Sequence, residues 1–215
     1  RVSLLLNKPI VMLGAGGHAK VLLSILRQQQ ADVVAVCAPQ PPASILFQQL
    51  RYLAHDDDIL QFSPQQVMLV NGVGALPGQT LRRKLYERFS ALGYQFACVI
   101  AGSAVIADSV KLFDGVQVLP GAIINADAQI DANVLINSGA IVEHDCILGI
   151  HSIISPGAVL CGGVSLGENC YIGAGATVIQ GIQLGNNTLA GAGSTVVRNL
   201  LDNQSIYCAQ PFIKG

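Results

Sequence analysis

From Ile106 to Val196 the chain places an aliphatic residue at every sixth position. Ile106, Leu112, Val118, Ile124, Ile130, Ile136, Val142 and Leu148 open the series. Ile154, Leu160, Leu166, Ile172, Val178, Leu184, Ala190 and Val196 continue it without an insertion. Four places after each comes a small or β-branched residue in nearly every case, such as Ala122, Ala140, Ala158 and Ala176. Gly, Asn and Asp fill the remainder, as in Leu166-Gly167-Glu168-Asn169. A step of six matches neither the 3.6-residue period of a helix nor the two-residue period of a strand. It predicts a β-solenoid, in which each unit is a short strand plus a turn and buries its aliphatic residue against the units above and below.

The pattern changes before Ala101. Pro9 to Leu13 is a continuous apolar run and predicts a buried strand. It enters Gly14-Ala15-Gly16-Gly17-His18-Ala19-Lys20 and then a helical pattern through Val21, Leu22, Ile25 and Leu26. Ala31 to Cys37 and Val67 to Val70 predict further strands, the latter running into Asn71-Gly72-Val73-Gly74. Thr80 to Leu92 predicts a helix with Leu81, Leu85 and Phe89 facing a core and Arg82, Arg83, Lys84 and Arg88 mostly exposed. Tyr94 to Ile100 predicts a last strand. Alternating strands and helices imply a small, half-Rossmann-like α/β domain with a parallel sheet. The expected organisation is this domain over 1–101, the solenoid over 102–199, and a cap over 200–215 containing Asn203, Pro211 and Lys214, since an open solenoid end needs covering.

Composition narrows the function classes. The 215 residues carry a net charge of −1, which advertises no basic surface for nucleic acid. Charged residues are only 12%, and the uncharged run Cys146 to Gly167 raises the question of a membrane span. Pro156, the glycines and the unbroken six-residue phase argue against one. Leu4-Leu5-Leu6 is too short for the apolar core of a secretion signal. The six cysteines include no C-x-x-C pair, and Cys146 and Cys170 fall on small inward positions. Disulfides are not implied, and a reducing, cytoplasmic setting is expected.

The first strand–loop–helix is the natural ligand site, because glycines let a phosphate approach the backbone and a helix N-terminus offers free N–H groups. Gly14-x-Gly16-x-x-Ala19 fits a dinucleotide fingerprint, but the acidic residue such a site wants after the second strand is replaced by Cys37-Ala38-Pro39. A sugar nucleotide or other phosphate ligand fits better than NAD, and a purely structural turn is the remaining reading. Lys20 beside the loop serves either as a phosphate contact or as part of a solvated helical turn. Histidine 18 carries the same two readings. In the repeat only His144 and His151 are available, both at turns. His144 lies between Glu143 and Asp145, and a carboxylate beside an imidazole is the usual arrangement for a general base. Asn137, seven residues earlier, falls on a neighbouring turn if one coil is about 18 residues. The alternative is a solvated turn histidine. A zinc site would want three imidazoles, so no metal is expected.

These stretches resemble the left-handed β-helix (hexapeptide-repeat) acetyltransferases, and within them the sialic acid O-acetyltransferases and the N-acetyltransferases of nucleotide-linked amino sugars. The resemblance rests on Leu13 to Lys20, Val70 to Gly74, Ile136-Asn137-Ser138-Gly139, Val142-Glu143-His144-Asp145-Cys146 and Ile154-Ser155-Pro156-Gly157-Ala158. It implies acetyl-CoA as donor and a homotrimer with active sites between neighbouring solenoids. It implies His144 as base, supported by Asp145 or Glu143, with Asn137 nearby. Gly14, Gly16, Gly17, His18, Lys20, Asn71 and Gly72 would hold the acceptor's nucleotide. Gly162, Gly163 and His151 would meet the CoA thioester, the Gly162 N–H facing its oxygen. The expected reaction is N-acetylation of a UDP-linked 4-amino-4,6-dideoxy sugar for bacterial surface glycan or glycoprotein synthesis. O-acetylation of a sialic-acid-type sugar and a non-catalytic assembly module are the alternatives.

Overall fold

A computed structural model describes residues 8–209. They divide into two compact units, one running up to Gly102 and including Phe113–Gln117, the other comprising Ser103–Leu112 and the residues from Val118 on.

The first unit is built on four parallel strands, β1 (Ile10–Leu13), β2 (Val33–Cys37), β3 (Arg51–Leu53) and β4 (Met68–Asn71), in the order β3-β2-β1-β4. Helix α1 (Gly17–Gln28) buries Ala19, Leu22, Leu23, Ile25 and Leu26, and helix α2 (Leu81–Ala91) buries Leu85, Tyr86 and Phe89. β1 is buried at all four residues because it is paired on both edges and covered on its faces. Its partners are β2 on one side and β4 on the other, with Leu13 opposite both Cys37 and Asn71. The strand order reverses between β1 and β4, so the loops leaving their carboxyl ends flank a topological switch point, where open α/β sheets bind ligands.

Two helical expectations are corrected. Leu81 is 55% exposed, whereas Arg82 is 5% exposed. The Arg82 guanidinium turns inward because the end of β4 offers it carbonyls: its Nη1 donates to Asn71 O at 3.0 Å and Val73 O at 3.1 Å. The strand expected over Tyr94–Ile100 reduces to β5 (Val99–Ile100) and a single bridge from Phe96 to Leu69. The edge strand β3 carries too few residues for a period to show.

The second unit is a three-sided parallel β-helix. Ile136, Ile154, Ile172 and Ala190 stack in register, each 18 residues after the last. Val142 pairs with Leu160, and Leu148 with Leu166, on the other two sides. All these side chains are buried, as are Cys146 and Cys170. From Gly121 to Gly193 each corner is a two-residue turn whose second residue has positive φ, the left-handed region that glycine and short polar residues tolerate. Gly139, Asp145, Asn169 and Asn187 occupy such positions, and so does His151 at φ 65°. The last coil is shorter: Leu200 bridges Leu184, and Ser205–Ile206 pairs with Leu189–Ala190, an offset of 16 rather than 18. The helix therefore extends past Val196 into the segment expected to be the cap. Pro211 and Lys214 of that cap, and Leu4–Leu6, lie outside the described residues.

Candidate functional site

His144 is the first residue of the turn between strands Ile141–Val142 and Ile147–Leu148. Its side chain is 63% exposed. The next residue, Asp145, adopts φ 60°, and this kink swings its carboxylate back to the ring: His144 Nδ1 lies 2.7 Å from Asp145 Oδ2. A carboxylate only accepts, so Nδ1 carries the hydrogen and Nε2 holds the free lone pair. The Asp145 hydrogen bond holds His144 above the usual imidazole range, opposed by desolvation, with the charges of Asp145 and then Glu143 adding lesser raising effects. Glu143 contributes only through its charge. Its Oε2 accepts from Asn125 Nδ2 at 2.8 Å, one coil below.

Gly162 is stacked one coil above His144. A Cβ on Gly162 would lie 2.6 Å from His144 Nε2 and 2.7 Å from Cε1, so the ring occupies the space a side chain would need. Gly163 N–H donates to His144 O at 2.9 Å, which fixes the turn and commits that donor. No partner accepts from the Gly162 N–H among the described residues. Asn125 and Gly162 were both recoverable from the 18-residue coil, being one coil before Glu143 and one after His144.

Asn137 and His151 do not converge on this turn within one chain. Asn137 sits at the preceding corner, with the strand Ile141–Val142 between it and His144, and its Oδ1 accepts from Ser138 N at 2.8 Å. His151 sits at the following corner and is 6% exposed. Its Nδ1 lies 2.9 Å from Asn133 Nδ2, one coil below. The same column continues above with Asn169 donating to Asn187 at 2.9 Å and Asn187 to Asn203 at 3.2 Å. His151 thus takes the place of one rung in a ladder of amides. Cys146 offers no nucleophile, since burial pushes its thiol up to about 11. Among the described residues no group of three or more His, Cys, Asp or Glu side chains could hold a metal ion. No described helix is long and apolar enough to cross a membrane.

The second cluster belongs to the α/β unit. Gly14 has φ +93°, and a Cβ there would meet Gly72 C and Val73 N at 3.1 Å. A Cβ on Gly72 would meet Leu13 O at 2.8 Å. The loops after β1 and β4 therefore press backbone on backbone. Gly16 and Gly17 meet nothing within 4 Å, leaving the entrance to α1 open. Gly16 caps α1 without a side-chain hydrogen bond, and the first turn holds no acidic residue, so its N–H groups and dipole face outward unneutralised. Lys20 is exposed on that turn and His18 is half-buried. This arrangement suits a phosphate-bearing ligand.

Known proteins share both halves of this chain. Residues 145–180 match the bacterial transferase hexapeptide (six repeats), 163–198 the hexapeptide repeat of succinyl-transferase, and 9–89 the PglD N-terminal domain. No curated protein sequence matches. GDP-perosamine N-acetyltransferase of Caulobacter crescentus, solved as a histidine-to-alanine variant with CoA and GDP-perosamine, is 36% identical. The match covers 96% of this chain and 97% of that one, with a TM-score of 0.85. The acetyltransferase domain of PglB from Neisseria gonorrhoeae, solved with acetyl coenzyme A, is 27% identical over 95% of this chain and 99% of that one, with a TM-score of 0.85. WeeI from Acinetobacter baumannii shares the fold at 22% identity, covering 94% of this chain and 97% of that one, with a TM-score of 0.81. The β-helix is accordingly left-handed.

Proposed function

The chain belongs to the left-handed β-helix, hexapeptide-repeat acetyltransferases of nucleotide-linked amino sugars, and from that premise we propose that it moves the acetyl group of acetyl-CoA to the amine of a nucleotide-linked 4-amino-4,6-dideoxy sugar. The observation that carries this reading is the His144–Asp145 pair, with the free Nε2 of His144 held against the unsubstituted Cα of Gly162.

The amine nitrogen attacks the thioester carbonyl carbon, and the C–S bond breaks. His144 Nε2 takes the proton released by the nitrogen and returns it to the departing CoA thiolate. Atoms balance without a covalent enzyme intermediate, because holding both substrates in one site supplies much of the rate. Asp145 stabilises the imidazolium while it carries that proton. Gly162 N–H faces the thioester oxygen as charge develops there. Gly14 to Lys20 and the loop after β4, Asn71 to Gly74, form the nucleotide end of the site, with the α1 N-terminus toward the pyrophosphate and Asn71 buried behind the loop rather than in contact with the ligand. Asn137 and His151 act in this reading only through a neighbouring copy, in a homotrimer.

UDP is the nucleotide the family resemblance favours, and GDP is the one bound to the 36%-identical relative. The product would feed bacterial surface glycan or glycoprotein synthesis. The test is CoA thiol release with UDP-, GDP- and dTDP-linked 4-amino sugars set against free and CMP-linked sialic acid. Turnover with an amino sugar is expected. Turnover only with sialic acid would move the reading to O-acetylation, and failure to bind acetyl-CoA would revive an assembly role.

A further inference from the structure

A chain of buried polar contacts runs behind the loop that carries His18, and it is not accounted for by holding a phosphate. Gln117 is 1% exposed and Asn71 is 1% exposed. Gln117 Nε2 donates to Asn71 O at 2.8 Å, and its Oε1 lies 2.8 Å from His18 Nε2. The orientation of this amide is settled by its partner: Asn71 O is a carbonyl and only accepts, so the Gln117 atom facing it is the nitrogen. The atom facing His18 is then the oxygen, also an acceptor, and His18 Nε2 must carry the hydrogen. In a neutral ring Nδ1 is left as an acceptor. No described group bonds to it.

The other end of the chain fixes the charge. Asn71 O also accepts from Arg82 Nη1 at 3.0 Å, Val73 O accepts from the same atom at 3.1 Å, and Asn71 Nδ2 returns a bond to Arg82 O at 2.9 Å. Arg82 Nε and Nη2 are buried and have no hydrogen-bond partner among the described residues, and none of those residues pairs a carboxylate with this guanidinium. A second cation beside it is disfavoured. Burial first, and the Arg82 charge second, lower His18 to about 4, against the raising effect of the Gln117 bond.

We propose that Gln117, Asn71 and Arg82 hold His18 as a neutral Nε2–H imidazole, and that its Nδ1 accepts a hydrogen bond from a hydroxyl or N–H donor of the acceptor nucleotide rather than contacting its phosphates. This deepens the reading of Gly14 to Lys20 as the nucleotide-holding loop and rests on it. A neutral acceptor beside an uncapped helix N-terminus divides the work: the α1 backbone takes the anionic oxygens, and His18 reads a donor on the ribose or base. Gln117, Asn71 and Arg82 are positioning residues, and His18 is the specificity contact.

The wild-type ring is read directly by ¹⁵N NMR of the histidine-labelled chain. The proposal expects a neutral Nε2–H signal for His18 at pH 6 and above, and a doubly protonated ring or an Nδ1–H tautomer there overturns it. This signal does not depend on turnover, so it stands apart from failure of the acetyl-transfer reading. The contact is tested with three variants against UDP and GDP by calorimetry, and against whichever sugar nucleotide turns over. His18→Phe removes the acceptor and is expected to weaken binding by up to about tenfold, the worth of one neutral hydrogen bond. The KM for acetyl-CoA is expected to stay within about twofold, as it would for a lost acceptor-side contact only. His18→Asn restores an acceptor near Nδ1 and is expected to recover most of the loss. His18→Lys, which offers only donors and a charge, is expected to bind as poorly as His18→Phe. Recovery by Lys and not by Asn would make His18 a phosphate contact and overturn the assignment, as would unchanged binding by His18→Phe.

Discussion

His144 and His18 present opposite faces of the same ring. His144 stands on an exposed solenoid corner, its Nδ1–H directed at Asp145, its Nε2 free, and its charged form favoured. His18 is half-buried on α1, its Nε2–H directed at Gln117, its Nδ1 free, and its charged form disfavoured by burial and by Arg82. In each case the tautomer is dictated by a neighbour that only accepts, a carboxylate in one unit and an oriented amide in the other. A base that must carry a proton for part of a cycle profits from the first setting. A group that must stay an acceptor at all working pH values profits from the second.

The largest expected effect breaks the first half of this contrast. His144→Ala should lower kcat by about 10²–10⁴-fold, the scale of a positioned general base. Steady-state thiol release measures it, and a rate near wild type would remove His144 from the chemistry. Gly162→Ala should be nearly as damaging for a steric reason, because its Cβ would displace the ring whose Nε2 lies 2.6 Å away. A shift of about 1 Å at a reacting group costs roughly 10²-fold. Gly162 does not have positive φ, so the alanine meets no backbone strain and Tm should hold. A drop in Tm equal to that of a core truncation, with kcat intact, would show the glycine to be structural only.

How far these groups were legible follows from the periods that carry them. The stacking of Ile136, Ile154 and Ile172 could be anticipated because three six-residue units make one coil and every coil repeats the same burial. Asp145 was legible as well, being the immediate neighbour of His144. Asn125 and Gly162 needed the coil length and were reachable by counting 18 residues either way. The α/β unit has no such ruler. Arg82 fell on a helix flank that ordinarily faces water, and nothing local announces that the end of β4 supplies it with two carbonyls. Gln117 is a polar residue at a buried position, and its partner His18 is 99 residues away. Long-range polar pairs of this kind leave no periodic trace, so the site was readable where the fold repeats and opaque where it does not.

A milder change sharpens the base itself. Asp145→Asn keeps a residue that tolerates positive φ but withdraws the negative charge from His144. A base works when deprotonated, so kcat/KM in the wild type should fall as pH drops through the raised His144 value, above the ordinary 6.5. In Asp145→Asn that acidic limb should move to lower pH, and turnover at neutral pH should drop by about tenfold, less than for loss of the ring. A pH profile that does not move would mean Asp145 does not support the imidazolium.

The smallest effect is on stability and probes the other histidine. His18 has a folded-state value near 4 against an ordinary 6.5. As pH falls from about 6.5 toward 4 the unfolded chain takes up a proton that the folded chain refuses, so this group opposes folding over that window and is neutral above it. Asp114, raised by burial in the same unit, acts with the opposite sign on the acid side. Comparing wild type with His18→Asn at each pH cancels its contribution. At about pH 7.5 the variant should be less stable by about 1 kcal/mol for the weakened Gln117 contact. That gap should narrow by about pH 5, where only the wild type bears the cost of an uncharged imidazole. Thermal unfolding across the range measures it, and a gap that stays constant with pH would mean that His18 titrates normally and that the contrast with His144 does not hold.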